Sequence, residues 1–150
     1  MHDPRLLLVV LALPFAGSAI AAFLPARGRN WASALAGTVA LAGAILLAGF
    51  FPLVSDGQVL RHESPWLPSL GLDFTLRLDG FTWLFSMLVL GIGALVILYA
   101  RYYMSPKDPV PRFFAFLQAF MGAMLGIVLS GNLIQLAFFW ELTSLFSFLL

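Results

Sequence analysis

Few side chains in this 150-residue sequence could do chemistry, so the places they occupy carry the argument. There are seven acids, eight bases, two histidines and no cysteine. Without cysteine there is no disulfide, no thiolate metal ligand and no thiol nucleophile. His2 and His62 fall in polar stretches read as solvated loops, and a metal site needs more ligands than they offer. The sequence contains no Gly-rich phosphate loop, no Gly-x-Ser-x-Gly elbow and no pair of carboxylates at catalytic spacing. No cofactor is implied. What stands out is Glu141, set between Trp140 and Leu142 in an apolar run with no other charge. An acid at the centre of a bilayer costs about 2.5–3.5 kcal/mol on insertion scales. Burial favours its protonated form, and a nearby cation favours its ionised form. Such a carboxyl loads or releases a proton as a positive charge approaches or leaves, which is the chemistry of proton movement across a membrane. Ser144 lies on the same helical face, as do Ala137, Phe138 and Leu145, and its hydroxyl could donate to the carboxylate. Two plainer readings stand beside this one. The glutamate stays protonated and bonds a neighbouring helix, or it borders a water-filled surface.

The elements that must position Glu141 follow from composition. The chain is 61% hydrophobic and 10% charged, with a mean hydropathy of +0.98. Soluble domains average about 45–50% apolar and about 25% charged. These values exclude a soluble domain and a disordered chain. A net charge of +1 also speaks against a nucleic-acid partner, which would need clustered Lys and Arg. A hydrocarbon core needs about 20 apolar residues of helix. Residues 6–24, 31–51, 81–100, 113–129 and 133–150 meet or approach that length, and Glu141 is the one charge inside them. The first run could instead be a signal peptide ending at its small residues 18–22. It is longer than such segments usually are, and its leader is barely positive. Pro14 and Gly17 then sit within a span, which membrane helices tolerate.

Lys and Arg set the expected orientation. If the five spans alternate, Arg27, Arg29, Arg101, Lys107 and Arg112 gather on one side, against Arg5, Arg61 and Arg77 on the other. The richer side is expected to be cytoplasmic, which places the N-terminus outside a cell (inner) membrane crossed several times. Tyr99, Tyr102 and Tyr103 flank Arg101 as an interfacial belt would. Asp79-Gly80 reads as the start of the third span. Between spans two and three, residues 70–79 alternate apolar and polar, the mark of a half-buried strand. Residues 58–63 are a weaker partner for it, giving a small extracytoplasmic hairpin, with Trp66 read as loop packing. Gly122, Gly126 and Ser130 are spaced by four, as are Ala36, Ala40, Ala44 and Ala48, so helices can approach closely there. Gln118 and Gln135 lie inside spans and are expected to bond across helices. The fold class is therefore an all-α membrane protein of about five transmembrane helices. Residues 1–52 hold two helices, 53–80 the outer loop and 81–150 three more helices.

Two stretches carry a family resemblance. Residues 66–80, WLPSLGLDFTLRLDG, look like the segment before the third helix in antiporter-like subunits of respiratory complex I. Residues 120–133, FMGAMLGIVLSGNL, with FWELTS at 139–144, resemble the A subunit of Mrp-type multisubunit sodium/proton antiporters more closely. Complex I subunits usually read Trp-Glu-Gly where this chain has Trp140, Glu141 and Leu142. The resemblance implies the N-terminal part of an antiporter-like helical bundle, with Glu141 as the glutamate essential for proton movement. It implies other subunits of a multisubunit complex as partners, with protons and a monovalent cation such as Na+ as cargo. In the family, the partner of this glutamate is a lysine on a later helix. Residues 147–150 close without glycine, charge or interfacial residue, so a part of a longer polypeptide is expected. A short subunit ending at the membrane surface is the other possibility. Two rival functions remain open: a proton-pumping subunit of complex I or a membrane hydrogenase, and a helical scaffold without transport of its own.

Overall fold

A computed structural model of the chain describes residues 3, 5–25, 28–105 and 107–150. His2 and Arg27 fall outside these. The element order is α1 (Arg5–Ala22), α2 (Arg29–Ala48), a short α3 (Phe51–Ser55), β1 (Leu60–Leu67), β2 (Leu72–Leu78), α4 (Gly80–Tyr103), α5 (Val110–Leu129) and α6 (Leu133–Leu149). The five long helices fall on the five apolar runs. Four are long and apolar enough to cross a membrane, while α6 is apolar but has 17 residues. At 1.5 Å per residue α6 is about 25 Å long, a little under the thickness of the hydrocarbon core.

The bundle is built around α5. It packs against α1, α2, α4 and α6, and its Phe114, Met121, Leu125 and Leu129 are buried. Close approach depends on small residues, as their spacing suggested. A Cβ at Gly122 would lie 2.8 Å from the Phe15 ring of α1, and one at Gly126 would overlap the Phe139 ring of α6. Cross-helix bonds show that neighbours run antiparallel. The Ser18 hydroxyl near the end of α1 donates to the Ala115 carbonyl near the start of α5 at 2.6 Å. The Trp83 indole near the start of α4 donates to the Leu47 carbonyl near the end of α2 at 2.6 Å. Arg5, the hairpin and the α5–α6 turn therefore lie at one end of the bundle. Arg101, Lys107 and Arg112 lie at the other, so the alternation used to sort the charges is the one observed.

The loop after α2 folds as an antiparallel hairpin, with register from Leu60↔Leu78 to Leu67↔Leu72 and an irregularity between Pro65 and Leu67. The alternating run becomes β2, which buries Thr75, Leu76 and Leu78. Its predicted first residue, Leu70, sits instead in a 3-10 turn, because Gly71 reverses the chain in the left-handed region at φ +67°. The partner strand is longer than residues 58–63. It continues through Pro65 and takes in Trp66, which is a strand residue rather than loop packing. Pro is tolerated there because β1 is an edge strand. His62 is likewise in β1 and half-buried.

Asp79 caps α4. Its Oδ1 accepts from the Thr82 N–H at 2.8 Å, and its Oδ2 is 3.1 Å from Arg77. The backbone hydrogen bond from Thr82 holds the carboxyl below the usual aspartate range, with Arg77 contributing less. Because the folded value is lowered, the cap's contribution is present at neutral pH and fades as pH falls through that lowered value. Asp79→Ala is expected to cost about 1 kcal/mol. Thermal unfolding of the purified protein in detergent checks this, and the loss should shrink under strongly acidic conditions.

Candidate functional site

The site is a helix face, and its direction is set by what α6 turns inward. Asn132 begins the helix: its Oδ1 accepts from the Gln135 N–H at 2.7 Å, and its Nδ2 donates to the Asp73 carbonyl at 2.9 Å. Gln135 is fully buried. Its Oε1 accepts from the Thr75 N–H and its Nε2 donates to the Thr75 carbonyl, both at 2.9 Å. The amide thus pairs with β2 as another strand would. The Gly131 N–H also donates to the Thr75 carbonyl at 2.9 Å, and Leu76 bridges Ser130. The outer edge of β2 is therefore covered by the α5–α6 turn, which leaves few free strand groups. Trp66 of β1 meets Phe138 at 5.7 Å and Phe74 of β2 meets Phe139 at 6.3 Å between ring centroids.

This clamp corrects the expectation that Gln135 bonds another helix. A buried amide needs its donors and acceptor satisfied, and the nearest free groups belong to the strand edge. Gln118 does not bond another helix either. Its Nε2 donates to the Phe114 carbonyl of its own helix at 3.3 Å, and its Oε1 is buried against Gly17 of α1 without a partner among the described residues. The Asn132 cap was readable as a helix start, but the strand partner of Gln135 had no signal in the sequence.

With Gln135 and Phe139 turned inward, helix geometry fixes the rest of α6. Phe139 is 5% exposed and lies over Gly126. Glu141 is two residues further on, about 200° around the helix, and it is exposed. Ala137, Ser144, Leu145 and Phe148 are exposed with it, as is Phe138 on the side away from Trp66. The Glu141 and Ser144 side chains form no hydrogen bond or ion pair with a described residue. The Thr143 hydroxyl donates to the Trp140 carbonyl. The helices thus present one carboxyl, flanked by a hydroxyl and aromatic rings, on a face that the chain itself does not cover. An ionised carboxylate cannot stay in contact with hydrocarbon at low cost, so this face suits protein or a hydrated path.

Comparison with known proteins adds to this. The sequence model of the family described as NADH-Ubiquinone oxidoreductase (complex I), chain 5 N-terminus, matches residues 66–114. The chain is 60% identical over 149 residues to the probable K(+)/H(+) antiporter A/B subunit of Rhizobium meliloti, covering 99% of this chain and 15% of that protein. It is 53% identical over 102 residues to the Na(+)/H(+) antiporter A subunit of Alkalihalophilus pseudofirmus, covering 67% of this chain and 13% of that one. Among solved structures, the Mrp complex from Dietzia sp. DQ12-45-1b superposes with a TM-score of 0.77 at 30% identity. That match covers 95% of this chain and 15% of the other. The membrane-bound sulfane sulfur reductase, an archaeal respiratory membrane complex, superposes with a TM-score of 0.78 at 22% identity, a likeness of fold. It covers 94% of this chain and 22% of that one. The chain spans about 15% of the length of the first of these curated relatives and 13% of the second.

Proposed function

We propose that this chain, similar in sequence and fold to the N-terminal portion of the Mrp-type antiporter A subunit, supplies the lead-in helices and the proton-loading carboxyl of a monovalent cation/proton antiporter. The observation that carries the reading is the position of Glu141. It is the one charged residue inside the apolar runs, and it lies on the face of α6 left open by the chain's own packing. A carboxyl at an interface between helices can hold a proton while its surroundings are neutral and lose it when a cation nears. That is the coupling an exchanger needs. Ser144, one turn on, is placed to donate to the ionised form. In this reading residues 1–52 form two flanking helices, 53–80 an outer lid and 81–150 the start of the transport unit. The end bearing Arg101, Lys107 and Arg112 faces the cytoplasm, and the N-terminus lies outside. The chain works as part of a transporter, not an enzyme, among the other subunits of the complex. The cation is monovalent, and the relatives' names include both Na+ and K+.

A chimera tests this. Residues 1–150 replace the corresponding part of an active Mrp-type A subunit, and everted vesicles are assayed for proton release on adding Na+ or K+. Antiport within about tenfold of the parent is expected, since about 1.4 kcal/mol of misfit at the new seam would cost that factor. A chimera that assembles but moves no protons would remove the reading. The complex I-type alternative has the family description and the reductase fold in its favour. It predicts proton movement only when a redox substrate is supplied.

A further inference from the structure

The face of the bundle opposite in character to the Glu141 face is a groove between α2 and α4. It is a cavity of about 360 Å³ bordered by Ser33, Gly37 and Leu41 of α2 and by Ala94, Leu98 and Arg101 of α4. The two helices are antiparallel, so the groove runs along both axes. From Ala94 to Arg101 it extends about 10 Å, two turns of helix. Its floor is apolar and small. A Cβ built on Gly37 would meet no atom within 4 Å, so the space above this glycine is open. Its mouth is charged. The Arg101 guanidinium lies 5.7 Å from the centroid of the Tyr102 ring, and it forms no ion pair with a described residue. Trp31, Tyr99, Tyr102 and Tyr103, all exposed, ring the same end of the bundle. The first turn of α2 also starts there, with Gly28 as N-cap and no side chain capping it.

We propose that this groove binds one anionic phospholipid, with the phosphate on Arg101 and one acyl chain laid over Gly37 towards Leu41. Charge complementarity selects this occupant. A basic side chain between membrane helices at the interface is where an acidic headgroup is held. A guanidinium can also meet two phosphate oxygens at once. A transmembrane helix in the same place would be about 10–12 Å wide. It would also have to bring its own acid to Arg101 or leave that charge buried alone.

The test uses the complete complex, stripped of lipid and titrated with phosphatidylglycerol or phosphatidylcholine, with bound lipid counted by native mass spectrometry. One phosphatidylglycerol per chain is expected, retained about fivefold better than phosphatidylcholine, the preference that one Arg at the interface gives. Arg101→Gln should remove the preference. Gly37→Leu should remove the lipid by filling the groove from a position where nothing clashes, which guards against loss through misfolding. Equal retention of the two lipids, or full phosphatidylglycerol binding by both variants, would overturn the proposal. So would displacement of the lipid by millimolar inorganic phosphate, which would assign Arg101 to a soluble anion. Cross-linking of an Ala34→Cys variant to a helix of a neighbouring protein in the complex would overturn it as well.

Discussion

Glu141→Gln in the full-length protein is expected to lower cation-driven proton movement by about a hundredfold, the lower end of what a proton-transferring side chain contributes. The complex should assemble in normal amounts. Both halves of that expectation come from the structure. Glutamine has the shape of glutamate but takes up no proton. The Glu141 side chain makes no hydrogen bond or ion pair with a described residue, so its replacement breaks no polar contact that holds α6 in place. Glu141→Asp keeps the carboxyl but withdraws it by one methylene, and an intermediate rate is expected. A scaffold role, with Glu141 as a hydrogen-bonding group only, predicts that glutamine works as well as glutamate. Unchanged antiport by Glu141→Gln in everted vesicles would therefore sink the proton-loading account.

The second large effect is expected at Gly126. This residue lets Phe139 lie flat on α5, and an added Cβ would overlap three atoms of that ring. Phe139 is also where β2 meets α6 through Phe74. Gly126→Val must therefore push α6 off its seat, and overpacking of this kind costs about 1–3 kcal/mol. Displacement turns or tilts the helix that aims Glu141, so assembly and antiport should fall together. A second substitution separates packing from any other role. Phe139→Leu removes ring volume next to the new methyls, and the double variant should recover most of the assembled protein lost in the single one. Additive losses in this cycle would show that the Gly126–Phe139 contact does not seat α6.

Much of the fold was legible because a membrane imposes simple lengths. Each long helix lies on an apolar run, and Arg5, Asp79, Arg101 and Arg112 fall within a few residues of helix ends, whereas no charge marks the α5–α6 boundary. The alternation Leu72, Phe74, Leu76, Leu78 gave β2 because a half-buried strand has a period of two. Its partner β1 runs past residue 63 through Pro65, which a strand accepts only at an edge position such as this one. The helical turn Phe51–Ser55 went unforeseen, since a single turn has no periodicity to detect. The site was legible in one respect and hidden in another. Glu141 stood out because a lone acid in an apolar run is costly. Which way it points was not readable. That depends on Gln135 finding the backbone of Thr75, sixty residues away in sequence, and on Phe139 finding Gly126. Long-range pairings of this sort leave no local pattern. The same applies to Gln118, whose position suggested a bond across helices but whose amide turns back to Phe114.

The central claim is that the Glu141 carboxyl gains and loses the transported proton. Difference infrared spectroscopy on the complete complex reads this directly, comparing spectra before and after a step in Na+ or K+ concentration. The account predicts that a protonated-carboxyl carbonyl band disappears when the cation is added, shifts in heavy water and is missing from the Glu141→Gln complex. A carboxyl band that changes identically in the native and Glu141→Gln complexes, or native carboxyl bands that do not respond to the cation, would contradict it.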